Sequence, residues 1–125
     1  MKIHHIGYVV ENINNYADNF PYLQVNKIVK DIKQNARIGL FKNLDTKIFI
    51  ELIEPLNQRS YTWGFLQKGG GIHHICYINF NLKKIEIMKK KYKLFHLLGP
   101  INSKLFEKKV IFFMTQEKQI IEFIL

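Results

Sequence analysis

The chain of 125 residues is long enough for one domain with its own core, and a hydrophobic content of 47% excludes a disordered protein. No apolar run approaches the roughly 20 residues that cross a bilayer, no signal-peptide pattern is present, and the single cysteine suits a reducing compartment. We therefore predict a cytoplasmic protein with no membrane partner. The net charge of +9 is explained either by a general bias towards lysine, asparagine and isoleucine or by attraction to an anionic small molecule. Nucleic acid is less expected, because the lysines are scattered and no nucleic-acid motif occurs.

The sequence pattern of the first half of the chain predicts a strand, a helix and then three strands. Residues 2–10 alternate loosely between apolar and polar side chains, as strands do. Asn12 can cap a helix whose apolar side chains recur at helical spacing, and Pro21 limits that helix at its end. The three strands that follow are predicted over residues 24–32, 36–42 and 46–53.

A connector over residues 56–71 separates this half from a second one. Its glycines at 69–71 predict a flexible hinge, because they lack the sequence context of a phosphate loop. After a strand over 72–80, Asn81 should cap a helix over 82–92. Four side chains are expected on the inner face of that helix: Leu82, Ile85, Met88 and Tyr92. The remaining predictions are an extended segment over 93–98, a turn at Gly99–Pro100 and strands over 110–115 and 119–125.

Two segments of the chain have nearly the same sequence of seven residues, called the repeated phrase below. Residues 4–10 read His-His-Ile-Gly-Tyr-Val-Val, and residues 73–79 read His-His-Ile-Cys-Tyr-Ile-Asn. We therefore predict two tandem modules, at about 1–55 and 72–125, each with a strand, a helix and up to three further strands. Because one module alone is too small to hold a stable core, the two should pack together as a single domain over residues 1–125.

Each copy of the phrase is followed by a glutamate inside an apolar strand. His5 precedes Glu51 by 46 residues, and His74 precedes Glu122 by 48. A carboxylate among apolar neighbours should face water, pair with a charge or bind a metal, because burying it alone is costly. Two imidazoles and two carboxylates suit a divalent ion such as Co, Ni, Mn, Fe or Zn. Four protein ligands on an octahedral ion leave two positions for substrate oxygens, and the ion would act as a Lewis acid.

Three neighbouring side chains are expected to have structural roles. Strand alternation points His4 and His73 to the opposite face of the sheet, where packing or hydrogen bonding under the helices is expected. Cys76 takes the place of Gly7 in the second copy and should lie on the same face as His74, where a small apolar side chain is the expected role.

The sequence resembles the vicinal oxygen chelate superfamily, and is most like its methylmalonyl-CoA epimerase branch. The matching phrases are His-His-Ile-Gly-Tyr-Val-Val-Glu-Asn-Ile at 4–13, Ile-Glu-Leu-Ile-Glu-Pro-Leu at 50–56, Phe-Leu-Gln-Lys-Gly-Gly-Gly-Ile-His-His-Ile-Cys-Tyr at 65–77, Val-Ile-Phe-Phe at 110–113 and Ile-Glu-Phe at 121–123. The resemblance implies an α+β fold in which two tandem βαβββ modules form a curved mixed sheet around a metal cleft, usually in a homodimer. It places the metal ligands at His5, Glu51, His74 and Glu122, and at the position of Glu51 the family has either a carboxylate or an amide ligand.

The resemblance also implies a chemistry, with one departure from the family's pattern. The epimerases use an acid and a base on opposite sides of a carbon. One is the final glutamate, here Glu122, and the other is a glutamate in the second strand of the first half. No glutamate lies between residues 12 and 50, and Asp31 is the nearest equivalent. We therefore predict a metal-dependent isomerase or epimerase acting next to a carbonyl, with a coenzyme A thioester as one candidate substrate.

Three alternatives stay open. A glyoxalase I-type lyase has the same ligand pattern, although Thr115-Gln116-Glu117-Lys118 stands where its usual Asp-Pro-Asp-Gly turn would be. A ring-cleaving dioxygenase uses two histidines and one carboxylate, so Glu51 argues against it. A non-catalytic ligand-binding or drug-resistance protein on the same fold lacks the metal ligands, whereas this chain has all four.

Overall fold

The computed structural model describes residues 2–20 and 22–125, so the predicted role of Pro21 lies outside the described residues. Within them the chain forms eight strands and three helices. In chain order these are β1 (Lys2–Val9), α1 (Ile13–Asp18), β2 (Leu23–Asp31), β3 (Ala36–Asn43), β4 (Phe49–Pro55), α2 (Trp63–Gln67), β5 (Gly71–Ile78), α3 (Leu82–Lys91), β6 (Phe95–Ser103), β7 (Lys108–Met114) and β8 (Ile120–Ile124).

The eight strands form one curled mixed sheet in the order β2-β3-β4-β1-β5-β8-β7-β6. In each half the first and last strands run parallel, β1 with β4 and β5 with β8. The two halves meet through the antiparallel pair of β1 and β5. The predicted α+β fold of two βαβββ modules is confirmed. Because β1 and β5 are equivalent strands lying side by side, matching side chains of the two halves come together at the centre of the sheet.

The helices of both halves begin in the same way. The Asn12 side chain accepts a hydrogen bond from the Asn15 backbone N–H, and Asn81 accepts one from Lys84. Both caps agree with the sequence prediction. In the described part of the chain, no helix combines the length and hydropathy that crossing a bilayer requires.

The predicted inner face of the 82–92 helix is only partly right. Ile85 is buried and Met88 is half-buried, but Leu82 and Tyr92 are 54% and 51% exposed. Only the middle of α3 packs on the apolar cluster that includes Phe113 and Phe123. Its two ends extend past that cluster into solvent.

One expectation for a glycine-containing segment is wrong, and the hinge at residues 69–71 stays a prediction. The connector contains the short helix α2. No atom of the described residues lies within 4 Å of a Cβ on Gly69 or Gly71, but Gly70 is closely packed. A Cβ on Gly70, whose φ is +66°, would lie 2.6 Å from the backbone oxygen of Val9. Gly99–Pro100 lies inside β6 instead of forming a turn. Gly99 has φ +95°, and a Cβ there would lie 2.5 Å from the backbone oxygen of Val110, so glycine lets β6 pass close to β7.

Alternation along the strands gives the sheet two different faces. Leu52 of β4 packs on the side of α1, and Phe123 of β8 packs on the side of α3. The residues that immediately precede them, Glu51 and Glu122, therefore point into the cleft on the other side. Apolar side chains also fill much of this cleft, so the two carboxylates are surrounded by hydrophobic residues.

Candidate metal centre

The four side chains with repeat-related spacing converge at the centre of the cleft. Strand pairing sets their positions, because Glu51 of β4 lies beside Gly7 and Glu122 of β8 lies beside Cys76. His5 and His74 extend from the two central strands. One ligand atom from each of His5, Glu51, His74 and Glu122 lies within 4.8 Å of the other three, and all four residues are buried. The group could therefore hold a metal ion.

Distances within the group match those around a single ion. The two Nε2 atoms of His5 and His74 lie 3.0 Å apart. Glu122 Oε2 lies 2.9 Å from Nε2 of His74 and 3.1 Å from Nε2 of His5. Oxygens of Glu51 lie 3.4 and 3.5 Å from the same two nitrogens. Ligand atoms about 2.1 Å from a common ion lie roughly 3.0 Å apart at octahedral angles and roughly 3.4 Å apart at tetrahedral angles.

Burial and mutual contacts shift the pKa values of Glu51, Glu122 and His5. Burial raises the pKa of Glu51 above its ordinary value, although His5 partly opposes the shift. Burial would also raise the pKa of Glu122, but contacts with His5 and His74 outweigh it and hold this pKa below its ordinary value. For His5, burial lowers the pKa, and the carboxylates of Glu51 and Glu122 raise it overall.

One atom of the group has no conventional partner. Glu122 Oε2 is buried and makes no hydrogen bond within the described residues, although two imidazole nitrogens lie near it. A buried carboxylate oxygen without a hydrogen bond is costly, and coordination to a cation removes that cost. The residues present therefore fit a divalent ion, and its binding would compete with protons at Glu51.

His4 and His73 contact the proposed ligands instead of packing away from them. Nδ1 of His4 lies 2.9 Å from Nδ1 of His5, and Nδ1 of His73 lies 2.9 Å from Nδ1 of His74. Burial lowers the pKa of His4 to about 4 and that of His73 to about 3. The expected hydrogen-bonding role is therefore present, but the partner in each half is the neighbouring histidine.

Gly7 and Cys76 are equivalent in the repeat but differ in the space around them. Cys76 is fully buried and packs with Val110 and Ile124, in line with the expected apolar role. Burial raises the pKa of its thiol, so the thiol stays protonated. A Cβ on Gly7, in contrast, would lie 2.5 Å from Nδ1 and 2.6 Å from Nε2 of His74. The imidazole of His74 therefore occupies the space that any side chain at position 7 would need.

We expect Gly7→Ala to weaken divalent-metal binding and to lower stability by about 1–3 kcal/mol, because the added methyl group must displace the His74 ring. Metal titration calorimetry and denaturant unfolding of the metal-free protein would measure the two effects. Gly64→Ala is the matched control, since no atom of the described residues lies within 4 Å of a Cβ there. Wild-type metal affinity in Gly7→Ala would show that His74 does not need its present position.

Asp31 lies in the cleft but away from the four converging side chains. It is 2% exposed. Its carboxylate accepts hydrogen bonds from the backbone N–H and side-chain amide of Gln34 and from the backbone N–H of Lys104. It therefore ties the β2–β3 turn to the β6–β7 turn. Asp31 pairs with Ala36 and Glu51 pairs with Leu40, so the two carboxylates lie at different levels of the sheet.

The β6–β7 turn contributes contacts that the sequence does not suggest. Phe106 stacks on the imidazole of His5 with ring centroids 5.3 Å apart, and its ring meets that of His4 edge-on at 5.2 Å. Leu105 is buried in the apolar cluster of the first half, beside Val9 and Ile53. A turn of the second module therefore covers the cleft of the first.

A cavity of about 230 Å³ lies next to the candidate metal centre. Ile53 lines it and follows Glu51 by two residues, and Ile120 lines it and precedes Glu122 by two. Residues two apart on a strand share a face, so the cavity lies on the same face of the sheet as the four ligands, although none of them lines it. Its full lining is Gln34, Ile53, Tyr61, Thr62, His73, Leu97, Leu98, Phe112 and Ile120. The grooves of about 440 and 900 Å³ lie against α3 and α1.

Residues 4–96 match the model of the glyoxalase/bleomycin resistance protein/dioxygenase superfamily, and the chain belongs to this family. The search of curated proteins found no match.

Solved structures share the fold at low sequence identity. A hypothetical protein from Bacillus halodurans is 24% identical, with a TM-score of 0.84 over 98% of this chain and 92% of its own. Methylmalonyl-CoA epimerase from Mycobacterium tuberculosis is 16% identical, with a TM-score of 0.82 over 98% of this chain and 85% of its own. A variant of the Streptomyces coelicolor epimerase in complex with 2-nitronate-propionyl-CoA is 18% identical, with a TM-score of 0.82 over 99% and 96%.

Proposed function

We propose that this protein is a metal-dependent isomerase or epimerase that moves a proton at a carbon next to a carbonyl. The observation that carries the proposal is the buried convergence of two imidazoles and two carboxylates beside a mainly apolar cavity. His5, Glu51, His74 and Glu122 would hold one divalent ion of Co, Ni, Mn, Fe or Zn. When bound, such an ion supplies Lewis acidity, which makes a neighbouring C–H group easier to deprotonate.

The chain's own residues would carry the proton. The depressed pKa of Glu122 keeps its carboxylate ionised, and an ionised carboxylate can accept a proton. Phe112 and Ile120 line the cavity beside it and exclude water from the reacting carbon. In a two-base reaction, Asp31 is the candidate for the group that returns a proton from the other side.

A coenzyme A thioester is the substrate class that we propose to test first. The Streptomyces coelicolor epimerase, which shares the fold, is in complex with 2-nitronate-propionyl-CoA. A cavity of about 230 Å³ is below the roughly 300–1,000 Å³ of typical ligand pockets, so it suits a short acyl group rather than a whole coenzyme. The net charge of +9 would attract the coenzyme A phosphates that remain outside the cavity.

We also propose, from the family resemblance, that the protein is a cytoplasmic homodimer.

Deuterium exchange tests the proposal directly. Protein purified without chelator would be analysed for metal and incubated in D₂O with a panel of acyl-CoA thioesters. We expect deuterium at the α-carbon of at least one thioester, loss of this exchange after chelation and its return when metal is added. Absence of exchange by the metal-loaded protein across the panel would count against the proposal. Calorimetric binding of a thioester without exchange would instead support a non-catalytic ligand-binding protein.

Asp31→Asn separates a two-base from a one-base reaction. If Asp31 is the second catalytic group, the variant should block inversion while deuterium still enters the starting stereoisomer. The carboxylate already accepts hydrogen bonds from Gln34 and Lys104, and these contacts favour the other outcome, in which both rates stay at the wild-type level. Chiral separation of the labelled products would distinguish the two results.

A further inference from the structure

His4 and His73 occupy matching β-bulges between the two central strands. Ile3 pairs with Tyr77 and His5 with the next residue of β5, Cys76, which leaves His4 as the extra residue of β1. Further along, Gly7 and Tyr8 pair with His74 and Ile72, which leaves His73 as the extra residue of β5. A bulge turns a side chain away from strict alternation. Each bulge residue can therefore reach the imidazole of the residue that follows it.

The resulting contacts determine which nitrogen of each proposed ligand carries its proton. Nε2 of His5 and of His74 faces the four-residue cluster, so metal binding needs a lone pair on that atom. The proton of a neutral ligand imidazole then lies on Nδ1. Nδ1 of the preceding histidine lies 2.9 Å away in both halves and can accept that proton in a hydrogen bond. Each accepting imidazole therefore carries its own proton on Nε2.

Aromatic packing holds both accepting rings in place. His4 stacks on Phe49 with ring centroids 5.1 Å apart and meets the edge of Phe106. His73 meets Phe65 edge-on with centroids 4.9 Å apart. These contacts restrict rotation of the two rings, so the Nδ1 lone pair of each ring stays directed at the metal-binding histidine that follows it.

We propose that His4 and His73 are positioning residues that fix the tautomer and orientation of the metal-binding histidines His5 and His74. A hydrogen bond to the far nitrogen of a ligand imidazole raises its basicity and orients its ring. The inference rests on the proposed metal centre, but it is independent of the reaction and of the substrate. Because the two pairs are equivalent, both should contribute to metal affinity.

A pair of substitutions at each position isolates the hydrogen bond from packing. His4→Phe and His73→Phe keep an aromatic ring against the phenylalanines but remove the acceptor. His4→Asn and His73→Asn keep an acceptor oxygen near the former Nδ1 position. We expect each Phe variant to weaken Co²⁺ binding by roughly 10- to 100-fold and to change the visible absorption spectrum of bound Co²⁺. Each Asn variant should recover most of the affinity and the wild-type spectrum.

Further measurements separate this role from a purely structural one. His96→Phe is the control, because His96 is exposed and contacts the Gly99 carbonyl instead of a proposed ligand. Its Co²⁺ affinity should equal that of the wild type. Thermal unfolding of the metal-free variants reports any loss of packing. Lower metal-free stability with unchanged Co²⁺ affinity in the Phe variants would overturn the inference. A wild-type protein that binds none of Co²⁺, Ni²⁺, Mn²⁺, Fe²⁺ or Zn²⁺ would overturn the metal centre itself and the inference with it.

Discussion

His74→Ala is expected to remove most of the divalent-metal affinity of the protein. Nε2 of His74 lies within 3.5 Å of His5, Glu51 and Glu122, so its loss removes one of the four candidate ligands. The loss should exceed the roughly 10- to 100-fold expected when only an outer hydrogen bond is removed. Isothermal titration with Co²⁺ or Ni²⁺ would measure it.

The same substitution should remove the stabilisation that metal gives to the folded protein. A ligand at 100 times its Kd stabilises the native state by about 2.7 kcal/mol, and this gain should disappear at the same metal concentration. His5→Ala should behave in the same way, because the two histidines have equivalent places in the repeat. His96→Ala should retain the wild-type response to metal. If metal raised the Tm of His74→Ala as much as that of the wild type, the ion would have to bind elsewhere.

The repeat made the four converging residues predictable from the sequence. His5 and His74 fall at the same point of two equivalent strands, and Glu51 and Glu122 fall at the same point of the strands that pair with them. The antiparallel contact between β1 and β5 then brings both sets to one place. A single histidine or glutamate in an apolar strand would not have allowed this inference, because most such residues have structural roles.

The bulges at His4 and His73 could not be predicted in the same way. Strict alternation assigns each of these residues to the face opposite its neighbour. A bulge depends on how β1 and β5 pair across the sheet, which no local pattern in either strand determines. The doubled histidine in both copies was the available signal. Its meaning depends on a contact between rings that becomes visible only when the pairing of the strands is known.

The turn that covers the cleft shows a second limit of local reasoning. Leu105 and Phe106 come from the second half but pack against Val9 and His5 of the first. Nothing in the sequence around position 105 distinguishes them from ordinary apolar residues of a hairpin. The helix α2 was not predicted for a related reason. Phe65 and Leu66 pack against the apolar cluster of the first half, and no strong local helix pattern marks them in the sequence.

The two glutamates are equivalent in the repeat, but their surroundings differ. Glu122 Oε2 lies 2.9 and 3.1 Å from the two imidazole nitrogens, and the oxygens of Glu51 lie 3.4 and 3.5 Å from them. The closer contacts lower the pKa of Glu122, whereas burial raises the pKa of Glu51. The two carboxylates of the repeat therefore differ in basicity, and the proposal that Glu122 transfers the proton rests on the family resemblance and not on this difference.

Glu122→Gln is accordingly expected to abolish α-deuterium incorporation while a metal ion stays bound. Glutamine keeps the size and one oxygen ligand but lacks the carboxylate that accepts the proton, and general acid–base groups contribute roughly 10²- to 10⁴-fold to rates. Exchange would be measured by mass spectrometry at metal concentrations that calorimetry has shown to saturate each variant, so that weaker metal binding does not imitate a catalytic defect.

Glu51→Gln is the matched control, because the family resemblance allows an amide ligand at that position. It should lose much less activity than Glu122→Gln. Equal losses in the two variants would mean that both carboxylates act only as metal ligands, and wild-type exchange in saturated Glu122→Gln would assign the base to another residue.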